Sequence, residues 1–447
     1  MKTSKPQFLL AAPNSGSGKT TVSRGLMALL TARGMAVQPY KCGPDYIDTK
    51  MHGDVCGRPS VNLDTFMASP KHVGHLYVSH ASDADVCVVE GMMGLFDGYR
   101  RDRGSSAEVA RLLDLPVVLV VDARSAAYSM KALLSGFLHF DPKVRIVGVI
   151  FNKVGSAKHF SLLREVCDEL SVECFGCLPK TTALEQESRY LGLDFSRKTD
   201  TEMLVSTLDE HVDWRRLLDA TTRKLQRYRD HGRKNHDQGR RIVAVARNAE
   251  SFSFLYQEHL ERLAEMGEVV FFDPEKNEVF PDTTSLLYLP GGYPEKHLEI
   301  LSKADRTRNA IRSYVGKAGR VLAECGGMMY LCETIADDGG LFDMVGVLPY
   351  HITARKADRK LSLGYRQCLF RGQSLRGHEF HYTHFSDPQP QTLVQVYDAR
   401  MKPVDTPFVG CGNVLASYTH LYWGEIDIDR LFEDSRHGSP SVTINNR

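Results

Sequence analysis

The stretch Ala12-Pro13-Asn14-Ser15-Gly16-Ser17-Gly18-Lys19-Thr20 constrains this chain more than any other. An apolar run, Gln7 to Pro13, leads into it. Thr21 to Arg33 follows, with Val22, Leu26, Leu29 and Leu30 at helical spacing and Gly34 placed to end the helix in the left-handed conformation. Strand, glycine-rich loop and helix in this order make a phosphate cradle. Gly16 and Gly18, with Ser17 between them, let backbone N–H groups approach phosphate oxygens. Lys19 is set to reach the β and γ phosphates, and the Thr20 hydroxyl to bind Mg²⁺. The helix N-terminus adds partial positive charge. Pro13 stands where the first glycine of the motif is expected. Partitioning ATPases carry a lysine at the position of Asn14, which argues against that class.

The αβ rhythm continues through Ala36–Tyr40, Asp85–Glu90, Pro116–Asp122 and Val144–Asn152. These are strand candidates rich in valine and isoleucine with little alternation. Strands covered by helices on both faces read this way, so a doubly wound parallel sheet is expected. Lys224 to Arg241 is polar, basic and almost free of aliphatics, as linkers are. The domains are therefore set at 1–225 and 241–447, joined by 226–240. Beyond the linker the rhythm restarts with strand Arg241–Ala246, helix Phe252–Met266 and strands Glu268–Phe272, Leu286–Leu289 and Val321–Glu324. In a chain of 447 residues, 42% hydrophobic and 25% charged with a net charge of +1, nothing points to nucleic acid or disorder. The run Tyr99-Arg100-Arg101-Asp102-Arg103 reads as a solvated loop. The most apolar run, Leu115–Val121, is far short of the ~20 residues a spanning helix needs. No signal peptide is apparent, so a cytoplasmic protein with ten thiols rather than disulfides is expected.

Several carboxylates sit where strands end. Glu90 closes an apolar strand, facing the crevice where ligands bind in open α/β sheets. Asp45 follows a strand in Lys41-Cys42-Gly43-Pro44-Asp45-Tyr46-Ile47-Asp48, and Asp97 lies in Gly94-Leu95-Phe96-Asp97-Gly98. Each could equally cap a helix or turn. Asn152 and Lys153 follow another strand, a position suited to base contact, with a turn as the alternative. In the second half, Arg320–Leu331 reads as strand, tight turn and helix start around Cys325. Ala323 and Gly327 permit the strained turn that presents a nucleophile, and the helix end is expected to lower the thiol pKa. His420 is the candidate base. Backbone N–H groups of Gly326 and of the turn Pro290-Gly291-Gly292-Tyr293-Pro294-Glu295, Gly292 in particular, are candidates for an oxyanion hole. Cys332 is expected in the core. Cys174 and Cys177 form a lone C-x-x-C, read as strand end because zinc sites usually need two such pairs. His378-Glu379-Phe380-His381 reads as a strand rather than a metal site.

Taken together, the phosphate loop, Gly43–Asp48, Asn62-Leu63-Asp64, Glu90–Gly98, Pro290–Glu295, Ala323–Gly327 and Gly377–Tyr382 resemble the cobyrinic acid a,c-diamide synthase family across essentially the whole chain. The resemblance implies a dethiobiotin-synthetase-like domain followed by a class I glutamine amidotransferase-like domain. It implies ATP and Mg²⁺ as cofactors, with Thr20, Asp45 and Glu90 as metal ligands. Asp45, Tyr46, Ile47, Glu90 and Asp97 would lie near the reacting carboxylate. L-Glutamine would supply ammonia, and the a and c acetates of a corrin-type tetrapyrrole would be amidated. Nickel-sirohydrochlorin or a related tetrapyrrole is the alternative substrate, and a phosphate-loop ATPase switch the alternative function. Class I glutaminases usually carry Glu two residues after the histidine; here that residue is Tyr422, so a Cys–His dyad is expected. A homodimer is expected by analogy.

Overall fold

The computed structural model describes residues 4–180, 201–226, 228, 241–386 and 388–433. Most of the expected linker lies outside them. The chain forms two compact units, Met1–Arg233 and Lys234–Arg447.

The first unit holds β1 (Ser4–Ala11), β2 (Val37–Cys42), β3 (Val61–Leu63), β4 (Val86–Glu90), β5 (Val117–Asp122), β6 (Ile146–Val154), β7 (Glu173–Pro179) and β8 (Thr222–Lys224). Seven of them run parallel in the order β3-β2-β4-β1-β5-β6-β7, and β8 pairs antiparallel with the start of β1. The chain leaves β1 toward β2 and β3, then returns to β4 and crosses to β5. The reversal places the C-terminal end of β1 at the switch point where such sheets bind ligands. Phe8 and Leu10 of β1, Val88 of β4 and Val118 and Val120 of β5 share one core with Val22, Leu26 and Leu29 of the helix Lys19–Ala32. That helix ends as its sequence directs, Gly34 taking φ +81° and donating to the Thr31 carbonyl. Cys174 and Cys177 both lie within β7.

The second unit is built on β9 (Ile242–Ala246), β10 (Glu268–Phe272), β11 (Thr284–Leu289) and β12 (Val321–Glu324), parallel in the order β10-β9-β11-β12. The sheet is extended past β12 by the strands Val414–Ser417 and Phe408–Cys411. Alternate residues serve opposite faces. Ala244, Leu287, Leu289 and Ala323 join a core with Phe252, Met328 and Tyr330, while Val243, Tyr288 and Leu322 join another with Leu263, Leu421 and Trp423. Strands between Cys332 and Tyr422, paired antiparallel except for Cys332–Asp337 with Leu348–Thr353, make two further sheets. The expected α/β reading of this half did not include them.

One helix starts later than its spacing predicts, at Gln257 rather than Phe252. The amides of Ser253 and Phe254 instead donate to the Gly291 carbonyl, so this backbone braces a glycine turn and is not available to a helix. His259 and Leu263 are still buried on the helix. Among the described residues no helix is long and apolar enough to cross a membrane. All ten cysteines stand as free thiols.

Phe252 is fully buried, with its ring 5.4 Å from that of Tyr330. Phe252→Ala should destabilise the second unit by about 3–5 kcal/mol. Denaturant titration should show its transition moving to lower concentration while the transition of the first unit stays in place.

Candidate active sites

In the first unit the loop after β1 is tied down from the far side of the sheet. Asn152, at the end of β6, donates through Nδ2 to the Ser17 carbonyl at 2.9 Å, and Lys153 Nζ reaches the Gly16 carbonyl at 3.2 Å and Asp122 Oδ2 at 3.1 Å. Gly18 has φ +90°, and a Cβ there would stand 2.0 Å from Asn152 Nδ2, so this position requires glycine. Both residues read from sequence as base contacts thus brace the phosphate loop. Ser17 Oγ bonds to the carbonyl of Asn14. Lys19 Nζ donates to the Met93 carbonyl at 2.5 Å, and burial, followed by the charge of Lys41, lowers its pKa to about 8. A cation held on a neutral carbonyl is suited to receive a phosphate.

Thr20 Oγ1 donates to Glu90 Oε1 at 2.7 Å, so two of the three expected metal ligands meet. Hydroxyl and carboxylate oxygens are the donors Mg²⁺ takes, and it fills its remaining positions with water and phosphate. The donor set therefore fits Mg²⁺. Asp45 is occupied differently: its Oδ1 accepts from the amides of Ile47 and Asp48 at 2.8 Å each, capping the helix Ile47–Cys56. Burial and the neighbouring Asp48 raise its pKa. Tyr46 occupies the cap position itself and is half-buried. Asp97 is exposed and caps its own loop, accepting from the Gly94 amide at 3.1 Å.

The residues around Glu90 were not singled out from sequence. Lys41 Nζ lies 2.9 Å from Glu90 Oε1 and 2.6 Å from Asp48 Oδ2, and His52 Nε2 lies 2.7 Å from Glu90 Oε2. All four side chains are buried. The adjacent register Lys41↔Glu90 puts the pair together. Asp48 and His52, four apart on the helix, share its inward face with Cys56. That spacing was the available signal.

In the second unit, Cys325 leaves β12 with φ +46° and ψ −110°. A non-glycine residue there stores on the order of 1–3 kcal/mol of strain. Its amide is fixed to the Ser417 carbonyl at 2.7 Å. The backbone N–H groups of Gly326 and Gly292 are the nearby groups that favour the thiolate. These are the two donors expected for the oxyanion hole, and the structure brings them together. The expected lowering of the thiol pKa does not follow. Burial pushes it up, and the charge of Glu295 adds to the rise, outweighing the two N–H groups. Cys332 is fully buried, with Sγ on the Met328 carbonyl.

His420 opens the strand His420–Tyr422, paired with Gln373–His381 so that it faces His378. A Cβ on Gly291 would stand 2.1 Å from His420 Cε1, so the ring is pressed against the glycine turn, and Phe254 packs 5.7 Å away. Burial, followed by the charges of His378 and His381, lowers its pKa to about 3. Tyr422 hydrogen-bonds Glu258 of the helix Gln257–Met266. Glu379, in the string read as a strand, is held by Arg366 at 2.9 Å and Thr406 at 2.7 Å. Among the described residues no group of three or more His, Cys, Asp or Glu side chains is arranged to hold a metal. Glu324, raised to about 8 by burial, accepts from Tyr288, Trp423 and the Leu421 amide beneath the elbow.

These shifts give a testable expectation. A thiol raised above its ordinary value is almost entirely protonated near neutrality. Alkylation of Cys325 by iodoacetamide in the free enzyme should therefore rise about tenfold per pH unit from pH 6 to 9, without a plateau. A plateau near neutrality would mean a preformed thiolate–imidazolium pair.

With the geometry in hand, comparison with known proteins is direct. Residues 8–192 match the CobQ/CobB/MinD/ParA nucleotide binding domain, and residues 242–427 match the CobB/CobQ-like glutamine amidotransferase domain. The cobyrinate a,c-diamide synthase of Caldanaerobacter subterraneus is 39% identical, covering 93% of this chain and 94% of the relative. The hydrogenobyrinate a,c-diamide synthase of Streptomyces coelicolor is 38% identical, covering 94% of each. The cobyrinate a,c-diamide synthase of Salmonella typhimurium is 34% identical over 94% of this chain and 95% of the relative. A nucleotide-binding unit and a glutamine amidotransferase unit in one chain, matched nearly end to end by such relatives, mean that the protein belongs to the cobyrinate/hydrogenobyrinate a,c-diamide synthase family.

Proposed function

We propose that this protein is a ligase forming C–N bonds, using ATP and glutamine to convert the a and c acetate carboxylates of a corrinoid such as cobyrinic acid into amides. The observation that carries the reading is the elbow at Cys325, where strained backbone at a strand-to-helix junction sets one sulfur among the N–H groups of Gly292 and Gly326. In this reading the division of labour is an ATP-dependent synthetase at 1–225, a linker at 226–240 and a glutaminase at 241–447. The boundary between the compact units, Arg233/Lys234, falls inside that linker.

In the glutaminase the Cys325 sulfur attacks the amide carbon of glutamine. Gly292 and Gly326 stabilise the developing oxyanion, and neutral His420 takes the thiol proton and delivers it to the leaving ammonia. Water then releases glutamate. In the synthetase, Lys19 and the N–H groups of Gly16, Ser17 and Gly18 hold the phosphates of ATP, and Thr20 and Glu90 would hold Mg²⁺. The metal supplies charge neutralisation at the transferring phosphoryl group. Asp45, Tyr46 and Asp97 are assigned to the surroundings of the reacting carboxylate. Asn152 and Lys153 are assigned to nucleotide binding through the loop they brace. Phosphoryl transfer to the substrate carboxylate makes an acyl phosphate, whose acyl carbon is attacked by ammonia with release of inorganic phosphate. The names of the relatives favour a corrinoid over nickel-sirohydrochlorin.

Cys325→Ser should lower glutamine-dependent amidation on the order of a thousand-fold or more and leave ammonia-dependent amidation intact. Mass spectrometry of cobyrinic acid products would check both. Amidation of nickel-sirohydrochlorin alone, or ATP hydrolysis with no amide formed, would sink the assignment.

A cytoplasmic homodimer completes the reading. Free thiols throughout suit a reducing compartment. The helix Met130–Phe140 leaves Leu133 and Phe140 exposed, with the Phe140 ring 4.6 Å from that of Phe96. Phe140→Glu should convert a dimer to a monomer by light scattering, without loss of helicity.

A further inference from the structure

Glu295 has no part in the chemistry above, yet it stands beside the nucleophile. It belongs to the single turn Pro294–Lys296 that follows the oxyanion glycine. Pro294 and Gly292 both pack directly on Gly326, the neighbour of Cys325. Glu295 Oε2 is shut off from solvent, and no described residue donates a hydrogen bond to it. A buried acceptor left unmade bears its full desolvation cost. The nearest cations do not bond to this oxygen: Lys296 Nζ sits 4.7 Å over the Tyr293 ring and His297 Nε2 lies 3.1 Å from Glu250, and their charges and that of Arg359 only partly offset the burial. Burial raises Glu295 to about 7, and its charge is the foremost electrostatic obstacle to ionising Cys325. Left alone, this carboxylate works against the nucleophile.

A carboxylate with an open acceptor beside the reaction centre calls for a cation that arrives with the substrate. L-Glutamine carries one, its α-ammonium. We propose that Glu295 Oε2 receives the α-ammonium of glutamine, selecting amino-acid amides over simple amides and letting the substrate itself cancel the repulsion on the Cys325 thiolate. The proposal rests on Cys325 as the nucleophile. It accounts for a free enzyme whose thiol is held protonated: the charge needed to ionise it comes with the molecule to be attacked.

The test uses the full chain and two thiol reagents, with modification of Cys325 followed by peptide mass mapping. 6-Diazo-5-oxo-L-norleucine presents the α-ammonium of glutamine, and iodoacetamide lacks it. In Glu295→Gln, modification by the diazo compound should slow on the order of 10–100-fold, the loss expected when one partner of a charge-assisted hydrogen bond is removed. Modification by iodoacetamide should not fall. KM for glutamine should rise by a similar factor, Glu295→Asp should recover part of the loss, and ammonia-driven amidation should be unchanged. Unaltered reaction with the diazo compound would overturn the proposal. Parallel loss with both reagents would also overturn it, because it would mark Glu295 as structural. If the diazo compound leaves Cys325 of the parent enzyme unmodified, the nucleophile assignment falls and this proposal with it.

Discussion

Strand register is the constraint on which the rest of this molecule depends. In the first unit Leu10 of β1 and Lys41 of β2 both lie level with Glu90 of β4. β1 therefore ends one residue beyond the level of Glu90 and the phosphate loop starts there, close enough for Thr20 to reach the carboxylate, and Lys41 arrives as its lateral neighbour. A slip of one residue along β4 would turn Glu90 to the other face of the sheet. The register is enforced by burial on both faces, since Phe8, Leu9, Val88 and Val89 are all fully excluded from water.

Much of this was legible in the sequence. Parallel strands covered on both faces read as unbroken runs of valine and isoleucine, so the positions of Glu90 at a strand end, Cys325 just past one and Thr20 at a helix start could be read from pattern alone. What escaped was set by long-range pairing. Lys41 looks like an ordinary residue at the end of a strand until β4 is laid beside it. The strands from Cys332 to Tyr422 pair mostly across long sequence separations, and several are only two to four residues long, so no local window announces their sheets. The start of the helix at Gln257 depended on a carbonyl at Gly291 that no local window contains. The expected fall in the Cys325 pKa failed for a related reason. The helix behind it is a short one, Gly326–Leu331, and its field is outweighed by desolvation from elements distant in sequence.

The two units handle charge in opposite ways. Around Glu90 burial is compensated, with Lys41 set between two carboxylates and His52 on the far oxygen, so the cluster keeps its charges and its geometry together. Removing one member of such a set costs more than the set contributes, because the remaining charge is left buried. Around Cys325 burial is uncompensated. His420 is kept neutral, Glu324 is raised into the neutral pH range and the thiol is held protonated. One cluster keeps its charges paired, whereas the other holds its thiol and its imidazole neutral beside the carboxylates of Glu295 and Glu379.

The carbonyl of Ser417 holds the amide of Cys325, and the same backbone runs on through Thr419 into His420. Cys325 and His420, the nucleophile and base of the proposed glutaminase, are thus moored to one short piece of chain. Their separation is gauged over a few residues of that piece and not over the long stretch of sequence between them. Those parts of the intervening chain that pair with neither Val414–Ser417 nor His420–Tyr422 can then lengthen, shorten or be remodelled without carrying the two residues apart, much as a bracket fixed to a single beam is indifferent to the walls around it.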